Sequence, residues 1–218
     1  MEIKKILVVG ITGGIGNAFL QETANQNLQI TGCFNKDFEK ADSIISAFPN
    51  VKLSQIDLLN QSSLDTLTEN IFDGLLYVAG KPHFSDNVFD FTNEELSEQF
   101  NINVCSFIAI IKSIVSKSSC SLKKIVFVSS DIPNEIKSIY HLTKIIQEKA
   151  IEFLRAELNR RGISISIIKT GWVDTKMYAA YQSRFSSVSE SVKQPSEIAK
   201  ICLEEFQDTV TPYKTITV

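Results

Sequence analysis

Histidine, tryptophan and proline are scarce in this chain of 218 residues, at two, one and five. The four cysteines, Cys33, Cys105, Cys120 and Cys202, are far apart, never form CxxC, and have neither His83 nor His141 beside them. That spacing excludes the usual zinc patterns, so no metal is expected. Isolated cysteines in a chain able to bury its own core read as small buried side chains in a reducing compartment rather than a disulfide framework. Charge of one sign is missing too: 22 Lys and Arg against 25 Asp and Glu leave a net charge of -3. A phosphate backbone needs a basic stripe, so nucleic acid is not an expected partner. The longest apolar runs, ILVV after Lys5 and FIAII from Phe107, fall far short of the roughly 20 residues that span a bilayer. The start, MEIKKILVV, carries no cleavage-site pattern. Together these absences lead to the expectation of a cytoplasmic protein with no membrane partner.

What is present is an ordinary globular balance, 44% apolar and 22% charged, which excludes disorder. Short β-branched runs alternate with stretches of helical period. KKILVVG, LQITGCF, VKLSQI, GLLYVAG, KKIVFVSS, ISISIIKTG and YKTITV read as strands. Segments 15–26, 37–48, 61–70, 92–118, 138–161 and 195–207 repeat apolar residues three and four apart and read as helices. Thr92 with Glu95 fits a capping box, Gly162 a helix stop and Pro195 a first helical turn. Strands such as ILVV and IVFV are apolar on both faces and need cover from both sides. The expected fold is therefore α/β: a single three-layer, doubly wound domain over 1–218 with a parallel sheet of about seven strands. Residues 176–193, serine-rich and polar, read as a mobile flap over a substrate site.

Four of the nine glycines fall in GITGGIG, from Gly10 to Gly16, between the first strand and the first helix. Glycine there allows a sharp turn and lets a pyrophosphate approach the backbone, while the helix start offers free N–H groups. Gly10, Gly14 and Gly16 form a variant of the dinucleotide fingerprint; a tight turn without ligand is the plainer alternative. An acid at the end of the second strand would favour NAD and a base NADP. Phe34 occupies that place, followed by Asn35 and Lys36, which favours NADP and leaves NAD open. Asp37 is better placed to start the next helix.

A tyrosine followed four residues later by lysine occurs twice. Tyr77 and Lys81 lie in YVAGK, where Gly80 and Pro82 forbid a helix. Tyr140 and Lys144 lie in SIYHLTKIIQEKA, whose helical period puts both side chains on one face. A phenol is a poor base at neutral pH, and a nearby ammonium favours its ionised form. Only the second pair has catalytic geometry.

At this point the chain resembles the short-chain dehydrogenase/reductase family along nearly its whole length. GITGGIG is similar to the family's cofactor loop, IDLL from Ile56 to its adenine-side aspartate, YVAG to its fourth-strand motif and FNINVCSF to its helical asparagine. VFVSS, YHLTK and TGWVDTKM complete the series in order, and QPSEIAKICLEEF resembles the last helix of 3-oxoacyl-carrier-protein reductases and small carbonyl reductases. The resemblance implies Tyr140 as general acid or base, Lys144 as its activator and ribose ligand, Ser130 as the hydroxyl that orients a carbonyl, and Asn103 as the end of a water-linked proton relay. It implies a cofactor bed of Gly10, Thr12, Gly13, Gly14, Ile15 and Gly16, with Phe34, Asn35 and Lys36 at the second strand end. Asp57 and Leu58 would meet adenine, Ala79 and Gly80 the adenosine ribose, and Gly171, Val173 and Thr175 the nicotinamide.

There are departures. Nine residues separate Ser130 from Tyr140, fewer than usual in the family, which leaves open whether Ser129 or Ser130 faces the substrate. Tyr77 and Val78 replace two asparagines, and Thr170 replaces a proline. His141 is one residue from Tyr140 and points about 100° away on a helix. His83 reads as a loop residue or a substrate contact, and Trp172, Met177, Tyr178 and Phe185 as walls of an apolar site or as flap packing. The expected activity interconverts a small or carrier-bound carbonyl compound and a secondary alcohol with NADP or NAD. The alternative is a non-catalytic dinucleotide-binding sensor or scaffold. Phe107, Ile108, Ile110, Ile111 and Ile114, with Ile145, Ile146, Ile151, Phe153 and Leu154, exceed what one buried face needs per helix. With the resemblance, this implies a homodimer or homotetramer.

Overall fold

The computed structural model describes residues 2–67, 70–83, 85, 87, 89–131, 138–184 and 191–218. Seven parallel strands form one sheet: β1 (Lys5–Val9), β2 (Gln29–Phe34), β3 (Lys52–Gln55), β4 (Gly74–Tyr77), β5 (Lys124–Ser130), β6 (Ser164–Thr170) and β7 (Tyr213–Thr217). Their spatial order is β3-β2-β1-β4-β5-β6-β7. The chain therefore winds outward one way from β1 and then the other way from β4. The gap between the carboxyl ends of β1 and β4 is where such a sheet opens a ligand crevice.

The all-apolar strands are covered on both faces, as their sequences require. One face packs Leu7, Leu75, Phe127 and Ile165 against α3 (Gln61–Thr66), α5 (Ser106–Val115) and α6 (Ile139–Arg160), through Leu64, Phe107 and Ile151. The other packs Ile6, Val8, Val126 and Ile168 against α1 (Gly14–Thr23), α2 (Phe38–Ala47) and α8 (Pro195–Gln207), through Phe19, Ile44 and Cys202. The three-layer, doubly wound α/β fold is thus as the alternating pattern implies. Helix ends follow their local chemistry. Asp37 caps α2 by accepting from the Lys40 N–H at 3.2 Å, Thr92 and Glu95 form a reciprocal box at the start of α4 (Asn93–Phe100), and Gly162 takes φ +74° just past α6.

Three expectations are corrected. The helix over 92–118 is not continuous: α4 ends at Phe100, Asn101–Cys105 form a π-helical turn, and α5 begins at Ser106. The wider turn is supported from the sheet, because the Ile102 carbonyl accepts from the Ser106 hydroxyl at 2.6 Å and from the Tyr77 hydroxyl at 3.3 Å. The flap is partly helical, with α7 over Lys176–Arg184, and its far end returns to the chain just past β6, where Val173 and Lys193 form an isolated bridge. Two of the four free cysteines, Cys105 and Cys120, are exposed rather than buried. Burial pushes the Cys33 thiol up to about 12. Among the described residues no helix is long and apolar enough to cross a membrane.

Candidate active site

A cleft of about 1310 Å³ opens at the carboxyl ends of β1, β2, β4, β5 and β6. Its floor is the glycine loop. Gly10 takes φ +97°, where a side chain is strained, and a Cβ there would lie 2.9 Å from the Ala79 backbone. A Cβ on Gly16 would lie 2.3 Å from the Gly10 carbonyl oxygen, and one on Gly14 2.5 Å from Thr175 Cγ2. Loop, β4 end and β6 end are therefore in contact only because these positions lack side chains. Gly13 caps α1 with no side-chain hydrogen bond, and the first turn carries no acid. The opening N–H groups of α1 therefore have no side-chain acceptor, as an anion site at a helix start requires.

From the loop the cleft runs to the end of β2 and the start of α2, lined by Phe34, Asn35, Lys36, Lys40 and Ser43, then past Asp57, Leu58 and Leu59. Phe34 stacks edge-on against Phe38, with ring centroids 5.6 Å apart. Asp57 Oδ1 accepts from the Leu59 N–H at 3.0 Å. Lys40 and Ser43, both on α2, were not anticipated from the sequence; Lys36 precedes the Asp37 cap and Lys40 follows in the first turn.

At the other end lie Ser130, Tyr140, Lys144, Gly171, Val173 and Thr175, with Trp172, Met177 and Tyr178 as the outer wall. Ser138 caps α6, accepting from the His141 N–H at 3.1 Å. Tyr140 and Lys144 then follow on successive turns, both turned to the cleft. Lys144 is 3% exposed. Its Nζ donates to the Val128 carbonyl at 3.0 Å and sits 4.6 Å from the Phe127 ring centroid. Burial pushes this ammonium down to about 7, opposed by the Glu148 carboxylate. Burial pushes the Tyr140 phenol up to about 12. Lys144 Nζ lies 6.0 Å from the Tyr140 ring centroid, so the pair shares one pocket while the ammonium is anchored to the strand.

Both serines line the cleft and differ in burial and partners. Ser129 is buried and donates to Glu148 Oε1. Ser130 is half-exposed, lines the cleft and is the register partner of Thr170. Thr170, also on the cleft wall, has a buried Oγ1 with no hydrogen-bond partner.

Asn103 is fully buried and does not line the cleft. Its Oδ1 accepts from the Lys81 N–H at 2.8 Å, and its Nδ2 lies 3.1 Å from the Lys81 carbonyl, 3.0 Å from Gln99 Oε1 and 3.0 Å from Thr143 Oγ1. The amide thereby holds the segment after β4 onto α6. Lys81 pairs with Glu98 at the rim, away from Tyr77. His83 stands outside the cleft lining, with Nε2 3.9 Å from Glu95 Oε1. Phe185 and part of the flap lie outside the described residues.

The model of the short-chain dehydrogenase family matches residues 4–184. The chain belongs to the short-chain dehydrogenase family. Among curated relatives, this short-chain dehydrogenase is 24% identical over 212 residues to an uncharacterized oxidoreductase of Staphylococcus aureus, covering 92% of this chain and 89% of that one. It superposes on a dehydrogenase/reductase from Sinorhizobium meliloti with a TM-score of 0.82 at 21% identity, covering 100% of this chain and 94% of that one. A short-chain dehydrogenase from Burkholderia cenocepacia, crystallised with NADP, gives 0.82 at 20% identity, covering 100% and 96%. The enzyme class is accordingly oxidoreductase.

Proposed function

We propose that this short-chain dehydrogenase interconverts a carbonyl compound and a secondary alcohol, using a nicotinamide dinucleotide held along the cleft. The observation that carries the reading is the placing of Tyr140, Lys144 and Ser130 on the same cleft whose floor is the glycine loop and the bare start of α1. The N–H groups opening α1 suit the pyrophosphate, Asp57 and Leu58 the adenine, and Val173 and Thr175 the carboxamide end. The dinucleotide supplies the hydride. Every proton movement falls to the chain. In reduction, Tyr140 Oη gives its proton to the carbonyl oxygen as charge grows there, and Ser130 Oγ donates a hydrogen bond to the same oxygen. The Lys144 ammonium stabilises the phenolate left behind. Ser130 takes the carbonyl role because the Ser129 hydroxyl is committed to Glu148.

NADP is the preferred form in this reading. Lys36 and Lys40 both line the adenosine end, with Ser43 beside them, and two ammonium groups suit a 2′-phosphate. Against them stands Glu39 on the same wall, which keeps the preference modest. Trp172, Met177 and Tyr178 suit a substrate with an apolar body.

Assembly as a homodimer or homotetramer rests now on α6. Leu142 and Ile145 are each 46% exposed and Phe153 is 85% exposed, along one stripe of the helix. Phe107, Ile110, Ile111 and Ile114 of α5, by contrast, are consumed by the chain's own core.

The test is NADPH oxidation against a panel of ketones and aldehydes, including thioester-linked 3-oxoacyl groups. Turnover of at least one class is expected. Tight dinucleotide binding with no turnover across the panel would instead favour a sensor or scaffold.

A further inference from the structure

We infer that Glu148, one helical turn beyond Lys144, is a positioning residue that keeps Lys144 in its ammonium form, with Ser129 and Lys169 holding its carboxylate in place. The inference deepens the proposed function, since it assigns a regulator of charge to the same catalytic pair.

The geometry is that of two neighbouring turns of α6 gripping two neighbouring residues of β5. Lys144 Nζ donates to the Val128 carbonyl at 3.0 Å. Glu148 Oε1 accepts from the hydroxyl of Ser129, the next residue on the strand. The other carboxylate oxygen, Oε2, lies 3.4 Å from Lys169 Nζ on β6, and Lys169 in turn lies 3.8 Å from Asp131. Both oxygens of Glu148 are thus tied to the sheet, and its side chain is only 21% exposed.

Lys144 needs such a neighbour. The groups its ammonium touches, the Val128 carbonyl and the Phe127 ring, carry no formal negative charge. A buried ammonium without a countercharge gives up its proton. Burial does push Lys144 down, to about 7, and the Glu148 carboxylate is the group that opposes the fall. The remaining titratable groups around the pair act differently. Tyr140, one turn back, is held neutral by burial. Lys169 and Asp131 bear on Glu148 from the sheet, while Lys149 and Glu152 pair with each other on the outer side of α6. Across the cleft Lys81 is neutralised by Glu98, and Asp174 lies at the β6 end. None of these replaces a carboxylate one turn away on the same helix.

Glu148→Gln removes the charge and keeps the shape and the acceptor for Ser129. The protein is labelled with ¹³C at lysine Cε, and the Lys144 resonance is identified by its loss in Lys144→Arg. The unmodified protein should show Lys144 titrating near neutrality. Glu148→Gln should lower that midpoint by on the order of one unit, a tenfold change in proton affinity. Ser129→Ala, which frees the carboxylate without discharging it, should lower it less. Where a substrate is reduced, the pH at which turnover falls should move down with the lysine. A Lys144 midpoint unchanged in both variants would overturn the inference, whatever the activity. A shifted midpoint in a protein that reduces no carbonyl would uphold the charge coupling and reject the catalytic reading.

Discussion

The Tyr77 hydroxyl lies 2.9 Å from Ser106 Oγ, deep between the sheet and α5, and both hydroxyls also reach the Ile102 carbonyl. Tyr77 is fully buried and its ring meets Phe107 edge-on at 4.9 Å. Burial raises this phenol above its ordinary value, and its hydroxyl serves as a fixed hydrogen-bonding prop. What it props is the π-helical turn, and the turn carries Asn103, which ties the segment after β4 to Thr143 on α6.

Tyr77→Phe should therefore cost about 1 kcal/mol, the net worth of a buried hydrogen bond, and should loosen the turn. Urea unfolding measures the first effect, and hydrogen exchange at the amides of 101–106 the second. Unchanged exchange there would mean that Ser106 alone holds the turn.

Lys144→Met should stabilise the fold while ending catalysis. The folded midpoint of Lys144, about 7, lies below its ordinary 10.5. Below pH 7 both folded and unfolded forms bind the proton and the full burial penalty is present. Between about 7 and 10.5 the unfolded form binds more protons, so this group makes stability rise with pH. The gain from Met should be largest at or below neutrality and shrink toward pH 10. Thermal unfolding across that window checks it; a gain independent of pH would show that packing, not charge, is responsible.

Lys36→Ala and Lys40→Ala should each weaken NADPH binding several-fold, roughly 1 kcal/mol for a partly exposed charge-assisted contact, and leave NADH nearly unchanged. The difference should shrink as salt rises. Tighter NADH than NADPH binding by the unmodified protein would assign the β2 end to ribose hydroxyls instead.

Phe153→Glu together with Ile145→Glu should give a monomer by light scattering, where the unmodified chain gives a dimer or tetramer at micromolar concentration. A monomer mass for the unmodified protein would remove the assembly proposal.

Much of this architecture was legible in the residues. ILVV and IVFV announce strands covered on both faces because no half-buried strand tolerates that pattern, and Gly10, Gly14 and Gly16 mark the loop because no side chain fits there. Tyr140 and Lys144 were readable because their relation is local, one helical turn. Glu148 and Ser129 were not, since their partnership joins residues 19 apart across two elements, and nothing in either local stretch announces it. FNINVCSF has helical period throughout, so the π-helical turn, fixed by Tyr77 some 25 residues earlier, leaves no local trace. KMYAAYQSR reads as flap because it opens the polar, serine-rich stretch 176–193; it is helical, with Tyr178 and Tyr181 both packed on Trp172 at 5.5 and 4.4 Å between centroids.

The most direct measurement is the single-turnover rate of carbonyl reduction by Tyr140→Phe, with dinucleotide affinity measured in parallel. Removing one hydroxyl from a buried phenol that donates the reacting proton should slow the step by a factor on the order of 10² or more, while affinity stays within a few-fold of the unmodified protein. A rate near normal in a variant that still binds the dinucleotide would contradict the role given to Tyr140.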